Sequence, residues 1–245
     1  MILIYLLSVF FISRLFTYFS SFAENKNKAV KKTLIQALGL MLVEYSWKVI
    51  LLFICLMLLN YLFYLLSKKI KNSDSLRIRE SIGILIALLF FSSPLFDLDF
   101  NYRFIYWLQS SYPFVIISEL FSYPDWNKSC LFLFGLLFLM LESSVIIKVI
   151  LKKLNLGINE IDAQKESDDQ KLSGAGKLIG ILERIFIYIL ILLGQYSAIG
   201  LIIAAKSFAR FKALDKRYFA EYVLIGTLIS ALFAFLTALL VADKL

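Results

Sequence analysis

Long apolar blocks with few or no charges constrain this sequence more than any other feature. Two of them are clear, from Cys130 to about Leu151 and from about Tyr218 to Val241. A helix needs about 20 apolar residues to cross a hydrocarbon core of about 30 Å, and both blocks are that long. Because backbone groups in lipid must be hydrogen-bonded within the protein, such blocks fold as helices. The sequence therefore predicts an all-α, polytopic helical membrane protein.

Composition argues against a soluble domain. Hydrophobic residues make up 60% of the 245 residues, and charged residues make up 18%. Soluble domains are about 45–50% apolar and about 25% charged. The net charge of +8 comes from Lys and Arg concentrated at the block ends, where anionic lipid headgroups would meet them. No nucleic-acid-binding motif lies beside these residues, so we predict the lipid bilayer, and no nucleic acid, as partner.

The sequence lacks histidine and the motifs that many enzyme and metal sites need. There is no histidine, which excludes His-based triads and His-ligated metals. Cys55 and Cys130 each lie inside an apolar block and are interpreted as small buried hydrophobes, not as a disulfide. The run Gly174–Lys177 lacks the spacing of a phosphate-binding loop. We predict no enzyme, no catalytic residue, no cofactor and no metal site.

The blocks divide the chain into three parts. Residues 1–151 are predicted as N-terminal membrane helices, with an aromatic loop region near 97–128. Residues 152–177 are predicted as a polar loop, and residues 178–245 as a C-terminal membrane helix pair with a basic connector. We expect about five to seven membrane segments, of which at least one could be re-entrant or interfacial.

Two of the blocks are irregular. Leu34–Leu66 has 33 residues, more than one crossing needs, so we predict an interfacial or protruding first half and a span over about Trp47–Leu66. Glu44 and Lys48 are expected to form an (i, i+4) pair on this helix. The other block, Leu178–Ala205, is interrupted at Gly194–Gly200. A re-entrant or discontinuous helix and a plain packed helix both remain open there.

The positions of the basic residues depend on how these two blocks cross. If every block crosses once, the Lys and Arg counts on the two faces are nearly equal, and the positive-inside rule gives no orientation. If the two irregular blocks do not cross simply, the poorly charged region 97–128 lies outside. The basic stretches that would then share the cytoplasmic face are 26–32, 67–79, 148–177 and 206–217.

Ionisable groups inside apolar blocks are costly unless they are paired or hydrated, so they are candidates for function. Glu142 lies well inside a strong span and could pair with Arg14 or another cation, or line a hydrated path. The interrupted block adds polar groups at its start and at its break. The predicted polar path consists of Arg14, Glu142, Glu183, Arg184 and Gln195.

Two further patterns lie toward the end of the sequence. If residues 205–221 form one helix, a single stripe carries Lys206, Arg210, Arg217 and Glu221. This stripe could be an interfacial face against lipid phosphates, or a site for an anion, a lipid headgroup or a protein partner. The last block places small residues at steps of four, which favours close helix packing within the chain or with a second copy. They are Gly226, Ser230, Ala234, Ala238 and Ala242.

Part of this C-terminal sequence has a recognisable pattern. It contains GKLIGILER (176–184), LGQYSAIG (193–200), AAKSFARFK (204–212) and FAEYVLIGT (219–227). These runs resemble the C-terminal membrane segment of a family of uncharacterised bacterial integral membrane proteins, a domain of unknown function. The resemblance implies a bacterial inner membrane. The polar positions that it shares are Glu183, Arg184, Gln195, Lys206, Arg210 and Glu221.

Two functions of different class follow as hypotheses. The first is an oligomeric channel or transport component that moves ions or small solutes past the interrupted block and the intramembrane carboxylates. The alternative is a non-conducting membrane scaffold or effector subunit that docks a cytosolic protein through its basic connectors. The expected partners are therefore the bilayer, a second copy of the chain and a cytosolic protein, and the expected location is the cell membrane.

Overall fold

All regular elements in the described part of this chain are helices. The computed structural model describes residues 2–18, 26–69, 73–110, 126–153, 170–209 and 217–243. The helices in these ranges are α1 (Ile2–Tyr18), α2 (Lys26–Leu40), α3 (Trp47–Lys69), α4 (Ser73–Phe91), α5 (Tyr102–Ser110), α6 (Trp126–Lys153), α7 (Gln170–Leu192), α8 (Tyr196–Ala209) and α9 (Arg217–Ala242). The predicted all-α fold class is confirmed.

Three of the described helices are long and apolar enough to cross a membrane. They are Trp47–Lys68 in α3, Lys128–Leu151 in α6 and Ala220–Ala242 in α9. Shorter apolar helices run over Ile2–Phe16 and Tyr196–Phe208. Large apolar side chains also cover the outside of the protein, which suits lipid as the surrounding solvent. A membrane protein is supported at this level, while five to seven segments stays a prediction.

Helices α1 to α4 form a four-helix bundle within the first compact unit, residues 1–137. Helix α1 packs against α2 and α4, and α3 packs against the same two helices, so the ring of contacts closes. Its core contains Phe10, Leu40, Leu52 and Leu88, one from each helix. Chain direction alternates, since Tyr5 near the start of α1 donates to the carbonyl of Gly39 near the end of α2 at 2.6 Å.

The long block Leu34–Leu66 does not form one helix. It contains the end of one helix, an extended link and most of a second helix. Helix α2 ends at Leu40, α3 begins at Trp47, and Val43 between them forms an isolated antiparallel bridge with Phe100. The amide of Glu44 donates to the Asp99 carbonyl at 2.9 Å, which satisfies a backbone group that lies outside any helix. The helix predicted from Trp47 is confirmed. The predicted helical pair of Glu44 with Lys48 is wrong, because Glu44 precedes α3.

The basic stretches that flank α2 and α3 lie at the same end of the bundle, which we call the basic end. Lys32 in the first half of α2 pairs with Glu80 in the first half of α4 at 2.7 Å. Arg14, near the end of α1, donates to the Arg77 carbonyl at 3.0 Å. The chain therefore runs away from the basic end along α2 and runs back to it along α3. This reversal is the behaviour assumed by the second of the two alternatives for the basic residues, in which this block does not cross simply.

The second compact unit comprises residues 138–245. In it α7 packs against α8 and α9, with a core that includes Ile187, Tyr188 and Ala234. Helix α7 begins at Gln170, so the loop predicted over 152–177 is wrong for residues 170–177. Glutamine, lysine, leucine and alanine are good helix formers, and they extend the helix into this polar stretch. Residues 154–169 of the predicted loop lie outside the described part of the chain.

The break predicted at Gly194–Gly200 in the block Leu178–Ala205 is a tight reversal between α7 and α8, and it is shorter than predicted because α8 begins at Tyr196. Gly194 follows the end of α7 with φ +71°, and a glycine adopts this left-handed conformation without the cost that a Cβ brings. The amide of Gln195 donates to the Leu190 carbonyl at 2.8 Å and that of Gly194 to the Ile191 carbonyl at 3.0 Å. This pattern is the Schellman motif, which ends a helix and satisfies its last carbonyls. We call α7 and α8 the C-terminal hairpin.

The aromatic region predicted as a loop near 97–128 is partly helical. Helix α5 covers Tyr102–Ser110, and its side chains Phe104 and Trp107 stack with ring centroids 5.7 Å apart. Asn101 caps this helix, because its Oδ1 accepts a bond from the Phe104 amide at 3.1 Å. Residues 111–125 lie outside the described ranges.

Candidate functional site: a polar cleft beside the C-terminal hairpin

Two adjacent charged residues of α7 are directed to different neighbouring helices. Glu183 and Arg184 are consecutive, and consecutive side chains of an α-helix project about 100° apart. Glu183 accordingly contacts α8, whereas Arg184 contacts α6 and α9. One turn of α7 thus links the polar groups of three other helices.

Glu183 forms an ion pair across the C-terminal hairpin. The Nζ of Lys206, in the last turn of α8, donates to its Oε2. The two side chains are mostly but not completely buried, with 13% of Glu183 and 15% of Lys206 exposed. A cation in the last turn of a helix is also favoured by the helix dipole. The pair therefore holds α8 folded back on α7 while keeping one edge open to its surroundings.

Arg184 is buried and is satisfied by neutral oxygens. Its Nε donates to the Leu139 carbonyl at 3.1 Å, Nη1 donates to Ser230 Oγ at 3.2 Å, and Nη2 donates to Ser144 Oγ. A guanidinium carries five N–H groups, so these bonds use three of them. Among the described residues no carboxylate lies within ion-pair distance of Arg184. The described hydrogen bonds of this guanidinium therefore go to neutral oxygens, and the adjacent Glu183 carboxylate acts on its charge from the same helix turn.

A small cleft with room for about one water molecule lies beside these groups, between α7, α8 and α9. Its lining includes Glu183, Lys206, Ile187, Ile202, Thr227 and Ser230. Thr227 donates to the Val223 carbonyl at 2.7 Å, so its oxygen keeps the capacity to accept. The cleft is therefore a small apolar-walled space that one ion pair and two hydroxyl groups line. We call it the hairpin cleft.

The structure brings some residues of the predicted polar path together and leaves others apart. Glu183 lines the hairpin cleft, and Arg184 lies directly behind Ser230. Gln195 is exposed at the hairpin turn, and Glu142 is buried on α6 with 7% of its surface exposed. Arg14 belongs to the first unit, where it contacts Glu80 at 3.3 Å.

The predicted basic stripe is only partly described. Lys206 lines the hairpin cleft, and Glu221 is exposed on α9. Helix α8 ends at Ala209 and α9 begins at Arg217, whose side chain lies outside the description. Arg210 falls within residues 210–216, which the structure does not describe, so a single helix over 205–221 stays a prediction.

The small residues of α9 lie mostly toward the interior. Ala234 and Ala238 are completely buried, and Ser230 is 8% exposed. Gly226 lies beside α6, since a Cβ added to it would be 3.5 Å from Leu151 Cδ1. Ala242, at the end of the stripe, is exposed. Helix α9 packs against α7, so a close helix partner for the buried part of this stripe lies within the same unit.

A buried polar network in the first unit was not anticipated from the sequence. Glu80 is 2% exposed and contacts both Arg14 and Lys32. Further inside, Asn60 donates to Gln36 at 2.8 Å, and Gln36 donates to Ser13 at 3.3 Å. The sequence did not mark Glu80 as a buried residue, because it ends a charged stretch whose composition is typical of a connector. Gln36 and Asn60 could have been identified from the sequence, since each is a polar residue inside an apolar block.

Two opposing effects act on the Glu80 carboxyl. Burial raises its pKa, but the charges of Arg14 and Lys32 outweigh burial and hold the pKa below its usual range. The carboxyl is therefore ionised at neutral pH and ties α1, α2 and α4 together at the basic end. The role of this network is structural, because its charged atoms face one another inside the bundle.

The described residues contain no cluster of metal-ligating side chains, and three comparisons with known proteins found no match. No group of three His, Cys, Asp or Glu in the described residues is placed to hold a metal ion, and Cys55 and Cys130 are free. Comparison with protein-family models, curated proteins and solved structures gave no match to this chain. The resemblance to a bacterial membrane family stays a prediction.

Proposed function

We propose that this chain is a component of an oligomeric membrane channel or transporter that moves ions or small solutes. The observation that supports the proposal most is the hairpin cleft, in which an interrupted helix block places an ion pair and two hydroxyls against apolar walls. Membrane transporters contain helices that are interrupted within the membrane. Here the reversal at Gly194 folds α8 back on α7, and this brings Glu183 and Lys206 together away from the break. The location would be the cell membrane, which the resemblance narrows to a bacterial inner membrane.

The ion pair between Glu183 and Lys206 is the element suited to change during transport. It joins α8 to α7 and borders the cleft, so separating the two charges would loosen the hairpin on the side of the cleft. Both side chains retain some exposure, which lowers the cost of parting them compared with a fully buried pair. Helix α8 has 14 residues, or about 21 Å at 1.5 Å per residue, which suits a re-entrant segment better than a full crossing.

Flux measurements test this proposal. Purified full-length protein in liposomes should release potassium, chloride or phosphate, and Lys206→Gln should change the rate because it removes one half of the ion pair. Lys153→Gln is the matched control, since Lys153 is an exposed lysine of the same unit. Absence of flux for all three solutes, in monomeric and oligomeric preparations alike, would exclude the transport function.

The basic end of the first unit favours the scaffold alternative. Lys31 and Lys68 are exposed there, while the charged atoms of Arg14 and Glu80 face each other inside the bundle. A closed interior and a basic surface fit a subunit that binds an acidic cytosolic protein without conducting. A photo-crosslinker at position 31 or 68 should then capture one defined protein in cells, and Lys31→Gln with Lys68→Gln should abolish the capture. Flux in liposomes with unchanged capture in that double variant would favour transport.

A further inference from the structure

We propose that the basic end of the first unit binds anionic phospholipids, whose phosphate groups are the counterions of Lys31, Lys68 and Arg79. The inference goes beyond the proposed transport function, because it concerns the surface of the α1–α4 bundle and holds whether or not the chain conducts. It competes with the scaffold alternative, since an acidic protein partner would need the same lysines.

The three cations have no counterion among the described residues. Lys31, Lys68 and Arg79 are exposed, and no described carboxylate forms an ion pair with any of them. The buried carboxylate at this end, Glu80, is already bound by two other cations. Their charge is therefore available to an anion outside the bundle.

The charge of the first unit is concentrated at this end. Residues 19–32 and 67–80 contain nine lysines and arginines and three acidic residues. Around the opposite end, residues 41–48 and 92–103 contain two basic and three acidic residues. Basic residues close to a membrane are attracted by its anionic lipids. The basic end is therefore complementary to an anionic leaflet, whereas the opposite end is not.

A contact between α3 and α4 places Lys68 and Arg79 at the same height along the bundle. A Cβ added to Gly83 would lie 3.1 Å from Phe63 Cζ, so these two residues are level with each other. Lys68 follows Phe63 by five residues and Arg79 precedes Gly83 by four, which is about 7.5 Å and about 6 Å of helix. Because the two helices run in opposite directions, both displacements lead toward the basic end.

A hydrogen bond between α2 and α3 adds Lys31 to this level. Asn60 donates to Gln36 at 2.8 Å. Lys31 precedes Gln36 by five residues, about 7.5 Å of helix, and Lys68 follows Asn60 by eight, about 12 Å. The two backbones thus differ in height by about 5 Å, a distance that a long lysine side chain can span. The three cations therefore lie in one layer.

Exposed apolar residues lie directly below this layer. On each of the three helices, the residue three positions from the cation toward the opposite end is a large exposed hydrophobic: Leu34, Leu65 and Ile82. Residues three apart share a helix face. Because these hydrophobic side chains belong in hydrocarbon, cations about one turn above them lie at the level of the lipid phosphates. This level favours a phospholipid over a cytosolic protein as the anion.

The length of α3 agrees with this depth. The span Trp47–Lys68 has 22 residues, about 33 Å of helix, and the hydrocarbon core is about 30 Å thick. Trp47 is 66% exposed, and Tyr45 just before α3 is 70% exposed. Tryptophan and tyrosine favour the headgroup region. With these aromatic side chains at one interface, Lys68 reaches the phosphates of the other leaflet.

Quenching of a single tryptophan by brominated lipids tests the inference at both ends of one helix. Leu65→Trp, combined with Trp47→Phe, Trp107→Phe and Trp126→Phe, places the reporter one turn from Lys68. The matched control is the full-length chain that keeps Trp47 as its one tryptophan. Both chains are reconstituted in phosphatidylcholine with brominated phosphatidylglycerol or brominated phosphatidylcholine. We expect association at position 65 to favour phosphatidylglycerol about fivefold, the effect of one cation near the surface, and no preference at position 47.

Two variants of the position-65 chain separate charge from fold. Lys68→Gln should lower the preference to about one, whereas Lys68→Arg should keep it, because a guanidinium also binds phosphate. Raising the salt concentration should weaken the preference, since the cation is exposed. Equal preferences at positions 65 and 47, or an unchanged preference in Lys68→Gln, would overturn the lipid site.

A soluble acidic peptide separates the lipid from a protein partner. Polyglutamate should bind the full-length protein in phosphatidylcholine nanodiscs and lose this binding when phosphatidylglycerol is added, because lipid phosphates then occupy the cations. The combined substitutions Lys31→Gln, Lys68→Gln and Arg79→Gln should remove the peptide binding. Peptide binding that phosphatidylglycerol does not weaken would assign the basic end to a protein and overturn the lipid site. Flux without lipid preference would remove only this inference, and lipid preference without flux would remove only the transport function.

Discussion

Arg14 and Arg184 are the two buried arginines of the described chain, and their surroundings differ. Arg14 faces a carboxylate, Glu80, which also binds Lys32. Arg184 faces a carbonyl and two serine hydroxyls. The first arrangement neutralises the charge and fixes the bundle, whereas the second gives the guanidinium three neutral hydrogen-bond acceptors. The same residue type is therefore held by an ion pair in one unit and by neutral oxygens in the other.

Removing the charge of Arg14 should strongly destabilise the first unit. Arg14→Gln leaves Glu80 buried with one cation fewer, and breaking a buried pair on one side typically costs about 3–5 kcal/mol. Thermal unfolding of the purified protein in detergent measures the loss. Arg79→Gln, at an exposed arginine on the same helix as Glu80, should change stability by less than about 0.5 kcal/mol. Equal melting curves for the two variants would contradict the structural role of the pair.

The depressed pKa of Glu80 predicts a dependence of stability on acid. Its pKa in the folded protein lies below the unfolded value of about 4.3, so the folded state favours the ionised form. The resulting stabilisation is fully present above the unfolded pKa and is lost as the pH falls through the folded pKa. Unfolding curves between about pH 6 and pH 3 should therefore show a steeper loss of stability below about pH 4 in the wild type than in Glu80→Gln. Parallel pH profiles would refute the assignment.

At the scale of elements, two glycines allow neighbouring helices to pack or to reverse direction. Gly39 of α2 lies against Val9 of α1, and a Cβ there would be 2.7 Å from Val9 Cγ2. Gly194 sits in the left-handed region that turns α7 into α8. The first glycine is needed for space and the second for backbone conformation. Their substitutions should accordingly respond to different compensating changes.

Gly39→Ala should lower stability because the added methyl collides with the Val9 side chain. Overpacking of this kind costs about 1–3 kcal/mol, and Val9→Ala in the same chain should recover part of the loss by making room. The double-mutant cycle of these two substitutions measures the coupling directly. Gly200→Ala serves as control, because nothing lies within 4 Å of a Cβ at that position, and it should leave stability unchanged or raise it. An absence of coupling would show that the helices separate instead.

Gly194→Ala should weaken the reversal between α7 and α8. A residue with a Cβ pays about 1 kcal/mol or more in the left-handed conformation, whereas Gly194→Asn should be tolerated better. Cysteines at positions 183 and 206, in a chain without Cys55 and Cys130, report the hairpin through the yield of oxidative cross-linking. We expect the yield to fall in Gly194→Ala and to recover in Gly194→Asn. Identical yields in all three chains would mean that the turn does not depend on this glycine.

At the scale of the whole molecule, hydropathy predicted the fold class, because a span needs only length and apolar composition. Helices α3, α6 and α9 follow directly from that rule. The end of α2 does not, since it depends on pairing of the Val43 link with Phe100, a contact distant in sequence. The position of Glu80 was equally inaccessible, because its partners come from two other helices. Of these irregular features, only the turn between α7 and α8 could be predicted from the local sequence, because Gly194 marks it.

The reversal of chain direction between α2 and α3 predicts which parts of the first unit face the same side of the membrane. In the first unit, α2 and α3 start and end so that positions 31 and 68 share the basic end, with Leu95 toward the opposite end. Single cysteines at these three positions, in a chain without Cys55 and Cys130, should show this with an impermeant maleimide. Positions 31 and 68 should react from one side of sealed vesicles and position 95 from the other. Reaction of 31 and 68 from opposite sides would contradict the bundle topology in a membrane.

The C-terminal hairpin also sets a condition on biosynthesis. Glu183 and Lys206 are separated by 23 residues, so the ribosome completes the carboxylate about one to five seconds before its cation exists. A carboxylate without its ion-pair partner enters hydrocarbon at a considerable cost. We therefore expect the segment around Glu183 to stay in an aqueous environment until α8 has been made, after which the two helices can enter lipid with the pair of Glu183 and Lys206 formed. The number of residues in the C-terminal hairpin would then set the delay before these two helices enter the membrane.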